Sequence, residues 1–182
     1  MDSRNLNIVQ RWLWRGGLLL ATLFLAVSCI KDEKFTHENT TLVNVGSLAP
    51  DFEVELLDGG KRRLSDMRGK VVMLIFFSAE CPDCHAQFAE IERLVAESEP
   101  SFEVLAISRG DSPALVKEFR QEYNIAFPLG IDPQKTIYSL YATRYVPRCF
   151  LIGRDFKVKG LTVEFDAEKL NALWRKAEAE AE

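Results

Sequence analysis

The order of apolar and helical patterns predicts an α/β domain, a mixed central sheet flanked by helices with an N-terminal β-hairpin extension. Three observations carry that prediction. Residues 71–77 are a continuous apolar run, the pattern of a strand buried on both faces, and 102–108 form a second with Val104-Leu105-Ala106-Ile107 at its centre. Stretches of helical spacing lie between and after them. Before the last helical stretch come two strand-like segments joined by a tight turn, which puts an antiparallel pair beside parallel strands.

Each element follows in order. Residues 52–57 and 61–64 flank Asp58-Gly59-Gly60 and read as a hairpin. Residues 65–70 are a turn or short helix. Residues 71–77 form the first buried strand, and a helix-patterned stretch follows over 82–98, with Phe88, Ile91, Leu94 and Val95 on one face. Residues 102–108 are the second buried strand. A helix over 112–123 carries Pro113 in its first turn. Residues 127–131 are a short strand, 133–141 a short helix, and 149–152 a strand that turns through 153–156 into 157–165. A closing helix over 167–180 points Leu170, Leu173 and Trp174 inward.

The 182 residues are 47% hydrophobic and 27% charged, an ordinary globular composition with a net charge of −4. No basic face suggests nucleic acid. The first 28 residues read as a secretory signal, with Arg11 and Arg15, an apolar run over 16–27, and small residues at Ala26 and Ser28. That run is shorter than the roughly 20 residues a membrane span needs. Cys29 follows directly, and Leu25-Ala26-Val27-Ser28-Cys29 resembles a bacterial lipoprotein signal, with Ala26 where Leu is usual. This makes Cys29 the expected lipid attachment site, residues 29–43 a flexible tether and residues 44–182 the folded domain. The expected location is the cell envelope, membrane-anchored and facing the periplasm, with surface exposure open. A monomer is expected.

The chemistry concentrates at Cys81-Pro82-Asp83-Cys84, between a buried strand and a helix. Two thiols at this spacing can close a disulfide and reopen it. The helix N-terminus points N–H groups at the first sulfur and favours its thiolate. Pro82 suits the first turn, where its missing N–H had no partner anyway.

On these residues, with Ala49-Pro50-Asp51-Phe52, Gly69-Lys70-Val71-Val72, and Tyr145-Val146-Pro147 ahead of Phe150-Leu151-Ile152, the chain resembles the thioredoxin superfamily, specifically its exported, membrane-tethered TlpA/ResA-like thiol–disulfide oxidoreductases. The resemblance spans about residues 45–177 and implies a thioredoxin-like fold. It implies that Cys81 is the exposed nucleophile, that Cys84 resolves the mixed disulfide, and that Pro147 is cis beside them, leaving the Val146 backbone to pair with substrate. It implies no cofactor and no metal. The expected partners are protein disulfide substrates, with a membrane thiol reductase as electron donor.

The chain departs from the family at several positions. Glu80 replaces a common Trp, Ile75 stands where many thioredoxins bury an Asp, and Gln87 stands where TlpA/ResA-like members often carry Glu. The usual proton acceptors for the resolving thiol are therefore missing, and Glu80 is the candidate substitute. Glu80 and Asp83 place negative charge beside Cys81, which opposes its thiolate, favours the disulfide and predicts a reductant; His85 pulls the other way if protonated. Cys149 is expected to be a buried inert thiol rather than a third redox group. Arg144 and Arg148 flank Pro147, and they are either a contact for acidic partners or surface charges.

Three other readings share residues with this one. A peroxiredoxin-like peroxidase is met by Ser78, three positions before Cys81, but Leu74 stands where its Pro belongs. A metal chaperone would bind copper or zinc through Cys81, Cys84 and His85, but the exported chaperones of this fold usually place three residues between the cysteines. The string Cys81 to His85 also matches a c-type haem site, yet no Met follows it and the only other His is His37.

Overall fold

The computed structural model describes residues 39–182. The expectations for the signal, for Cys29 and for the tether up to residue 38 lie outside the described residues. One seven-stranded mixed sheet organises the domain. Its elements are β1 (Glu53–Leu56), β2 (Lys61–Arg63), β3 (Val72–Phe77), α1 (Pro82–Glu97), β4 (Glu103–Arg109), α2 (Pro113–Glu122), β5 (Leu129–Asp132), the short α3 (Tyr138–Tyr141), β6 (Arg148–Ile152), β7 (Val158–Val163) and α4 (Ala167–Ala181). The spatial order is β2-β1-β5-β4-β3-β6-β7. Strands β3, β4 and β5 run parallel, while β6 pairs antiparallel with β3. The hairpin is not an appendage, because β1 pairs with β5 and extends the same sheet.

Crossover handedness places the helices. The steps β3 to β4 and β4 to β5 move in one direction across the sheet, so right-handed connections put α1 and α2 on the same face. The return from β5 to β6 puts α3 on the other face. Strand β3 shows why its sequence lacks alternation. Met73, Ile75 and Phe77 pack with Cys84, Phe88, Phe119 and Trp174 on one side. Val72, Leu74 and Phe76 pack with Tyr138, Tyr141 and Phe150 on the other. Side-chain caps open two helices: Ser112 accepts from the Leu115 N–H at the start of α2, and Asp166 from the Lys169 N–H at the start of α4.

Strand β5 meets its neighbours most closely at Gly130, where an added Cβ would lie 2.6 Å from the Val54 Cγ2 and 3.2 Å from the Ile107 Cγ1. Both neighbours are β-branched and buried, so neither can swing away. Gly130→Ala is expected to lower stability by about 1–3 kcal/mol through overpacking, read by urea unfolding; an unchanged midpoint would show that the sheet relaxes at this point.

Two expectations are corrected. Residues 40–43 were assigned to the tether, yet Thr40 is fully buried and Val43 is 5% exposed. Their backbone is fastened to residues 141–143, with Leu42 N donating to Tyr141 O at 2.9 Å and Thr143 N donating to Thr40 O at 3.0 Å. The folded part therefore extends further toward the N-terminus than hydropathy suggests. The short helix expected over 133–141 exists only as α3. The Asp132 carboxylate accepts from Thr136 N, Thr136 Oγ1 and Tyr138 N, which organises residues 133–137 as a turn and delays the helix to Tyr138.

Candidate active site at the end of the central strand

Beyond Phe77 the chain leaves the sheet, turns through residues 78–80 and enters α1 with Cys81 as its N-cap and Pro82 in the first turn. The Cys81 carbonyl accepts from the backbone N–H groups of Cys84, at 3.0 Å, and His85, at 3.2 Å. The Cys81 thiol is partly exposed and donates to the Val146 carbonyl at 3.5 Å. The Val146–Pro147 bond is cis. Pairing of Phe76 with Arg148 in the β3–β6 ladder sets Val146 and Pro147 just past the strand end, against the turn that carries Cys81. The structure thus brings together Cys81, Cys84, Val146 and Pro147, which lie far apart in sequence.

Cys84 lies one turn in and is 0% exposed. Its sulfur accepts from the Ser78 backbone N–H at 3.4 Å. Burial pushes its ionisation far above the ordinary thiol range; the Ser78 N–H pulls it down, while the neighbouring Cys81 and Cys149 sulfurs push it further up. One thiol is therefore open to solvent and the other is screened and held as neutral S–H. Cys149, fully buried on β6, accepts from the Gln87 Nε2 at 3.5 Å, and burial pushes its thiol up to about 12. Burial therefore holds Cys149 as a neutral thiol. Gln87, where a carboxylate is common, therefore makes a packing contact with a thiol.

Glu80 and Asp83 are both exposed at the mouth of the site. His85 points away along α1. Its Nε2 faces the Ala79 carbonyl at 2.9 Å, and its Nδ1 faces the Tyr123 hydroxyl at 2.8 Å. A carbonyl can only accept, so Nε2 carries a proton and donates it to Ala79, while the Glu122 carboxylate lies 3.7 Å from Nδ1. Both nitrogens are engaged, and among the described residues no group of three or more His, Cys, Asp or Glu is arranged to hold a metal. Leu74, at the position of the peroxidase proline, sits fully buried in mid-strand.

Arg148 overturns its expected placement. It is 0% exposed and meets no solvent, so it is neither a surface charge nor a contact for acidic partners. Arg144 is exposed.

One residue of the site was not found in the sequence. Asp111 lies just past β4, only 6% exposed. Its Oδ1 accepts from Ser78 Oγ at 2.9 Å, and its Oδ2 accepts from Ala79 N at 2.9 Å and Ser108 Oγ at 2.6 Å. The turn at Ser78 and Ala79 is thereby held from three sides: by Asp111, by His85 through the Ala79 carbonyl, and by the Cys84 sulfur through the Ser78 N–H. The available signal was position, since Asp111 follows a predicted buried strand at the same carboxyl edge of the sheet where the thiol pair emerges, the edge at which open α/β sheets build their sites.

Residues 45–160 match the AhpC/TSA family. The thiol-disulfide oxidoreductase ResA of Geobacillus thermodenitrificans is 34% identical over 151 residues, covering 82% of this chain and 86% of that relative. Among solved structures, a candidate protein disulfide isomerase from Bacteroides thetaiotaomicron superposes with a TM-score of 0.72 at 31% identity, covering 78% of this chain and 92% of its own. A candidate thiol:disulfide interchange protein DsbE from Chlorobium tepidum gives 0.69 at 28% identity, covering 77% and 99%. In sequence and in fold, the chain belongs to the AhpC/TSA branch of the thioredoxin superfamily and, within it, to the ResA-like thiol–disulfide oxidoreductases.

Proposed function

We propose that this oxidoreductase is an exported, lipid-anchored reductant of disulfides in proteins of the cell envelope. The observation that carries the reading is the asymmetry of the pair: a partly exposed Cys81 at a helix N-terminus facing the Val146 carbonyl, backed by a fully buried Cys84. The Cys81 thiolate attacks one sulfur of a substrate disulfide. That S–S bond breaks, a Cys81–substrate disulfide forms, and the departing substrate thiolate takes up a proton. Cys84 then attacks the Cys81 sulfur, its proton passing to the second substrate sulfur as that group leaves. The Cys81–Cys84 disulfide forms and the second substrate thiol leaves, so two electrons pass from protein to substrate. The backbone at Val146, beside Pro147, is the place for an extended substrate to lie. A membrane dithiol reductase restores the pair, and lipidation of Cys29 keeps the domain at the membrane.

The direction of electron flow follows from local charge. Glu80 and Asp83 put two carboxylates at the mouth of the site, and burial holds Cys84 as a neutral thiol, so no stabilised anion favours the reduced pair at this position. Titration of the pair against dithiothreitol or glutathione is expected to give a reduction potential near or below about −250 mV, in the thioredoxin range. A potential near about −120 mV, that of a strong oxidant, would overturn the reductant reading.

A further inference from the structure

Arg148 is a fully buried cation whose hydrogen bonds here go to neutral oxygens, with the Glu164 carboxylate near enough to attract it. Its Nε donates to the carbonyls of Arg144, at 2.9 Å, and Tyr145, at 3.2 Å. Its Nη2 donates to Arg144 O at 2.8 Å and Thr40 Oγ1 at 2.7 Å, and its Nη1 to Thr41 Oγ1 at 2.6 Å. Burying a guanidinium is unfavourable unless its donors are satisfied, and core packing alone does not call for one. What the fork does is join two pieces of chain. One is the loop that runs from Arg144 to Pro147 and ends on the carbonyl facing Cys81. The other is the N-terminal segment at Thr40 and Thr41.

The loop has reason to be held. Tyr145 adopts left-handed backbone, with φ +67°, which a bulky residue keeps only when its surroundings impose it. Its carbonyl is fastened twice, by Arg148 and by the Tyr138 hydroxyl at 2.7 Å. The N-terminal segment is itself bridged to the backbone just upstream of this loop, Thr41 pairing with Ala142.

We propose that Arg148 is a positioning residue that locks the Val146 carbonyl in place by clamping its loop to Thr40 and Thr41, so that the segment joining the domain to its N-terminal region is part of the substrate-binding scaffold. This rests on the reading that extended substrates lie against Val146. The clamp acts on binding of an extended chain and not on the sulfur chemistry of Cys81.

The test uses full-length reduced protein under single-turnover conditions, with an extended disulfide-bonded peptide and, separately, hydroxyethyl disulfide, too small to span the loop. Thr40→Val with Thr41→Val removes both hydroxyl acceptors and keeps their shape. The half-saturating peptide concentration is expected to rise about tenfold, with the limiting rate and the alkylation of Cys81 by iodoacetamide staying within about twofold. Arg148→Lys, which keeps the charge but loses the planar fork, is expected to give the same split. An unchanged half-saturating concentration in the folded double variant overturns the proposal. So does an equal loss toward both disulfides, which marks a merely structural role. Should either of these variants not fold, Thr41→Val alone, at a half-buried position, decides by the same criterion. If unaltered protein handles the peptide no better than hydroxyethyl disulfide, the assignment of substrate to Val146 falls first and the clamp's role with it.

Discussion

Replacing Cys84 by serine is expected to leave a protein that attacks disulfides but does not let go. Cys81 stays at the head of α1 with its thiol toward Val146, so the mixed disulfide still forms. The group that releases it is gone. In the unaltered protein the second thiol sits one helical turn behind the first, and well-oriented intramolecular groups act as though present at effective concentrations of about 10⁵ M or more. An outside thiol at millimolar concentration cannot match that, so turnover with dithiothreitol as reductant should fall by at least about 10³-fold. Mass spectrometry should show a one-to-one adduct of protein and substrate peptide on Cys81. Cys81→Ser should abolish both adduct and turnover, while Cys149→Ala should leave turnover within about twofold, because Cys149 is buried on β6 and engaged by the Gln87 amide rather than placed in the first turn of α1 behind Cys81. A Cys84→Ser protein that keeps turning over would mean that another thiol resolves.

Asp111→Ala should carry the largest stability loss of any single change at the site. The carboxylate is acceptor for Ser78 Oγ, the Ala79 N–H and Ser108 Oγ, and Ser108 is fully buried. Truncation strands these donors, and an unsatisfied buried donor costs about 1–3 kcal/mol. A total of about 3–5 kcal/mol follows, since solvent reaches part of the vacated space. For a domain of this size that is a fall in Tm of roughly 10–15 °C. Asp111→Asn keeps the shape and some of the bonds and should lose about half as much. Urea unfolding of the reduced proteins measures both, and a loss below about 1 kcal/mol for the alanine variant would show that other groups hold the Ser78–Ala79 turn.

What was legible in the sequence is what depends on local pattern or on one strong motif. Strand β3 declared itself because a strand buried on both faces must be apolar throughout. Helix α1 was legible from periodicity and Pro82, and the thiol pair from its place between the two. What was hidden depends on polar side chains reaching across the fold. The Asp132 carboxylate replaces the first turns of a helix with side-chain hydrogen bonds, and periodicity is blind to that exchange. Thr40 and Thr41 look like linker residues because their burial comes from a guanidinium more than a hundred positions away. Arg148 looks like a surface charge for the converse reason. Asp111 has no motif, and only its position at the carboxyl edge of β4 marks it.

The central place of β3 has a consequence for how the chain comes to exist. Cys81 and the carbonyl that faces it are 65 positions apart, and they meet only once β6 has paired with β3. A ribosome delivers the chain from its N-terminus, so both thiols are out well before residue 146 is made. During that interval Cys84 has no sheet to hide behind and Cys81 has no carbonyl opposite it; both are plain exposed cysteines, open to any oxidant or wrong partner. Long-range pairing of this kind is also the slow part of folding. The difference between the two sulfurs, on which directed exchange depends, is therefore a late product of vectorial synthesis, and the vulnerable period of this protein is the time between the emergence of α1 and the docking of β6.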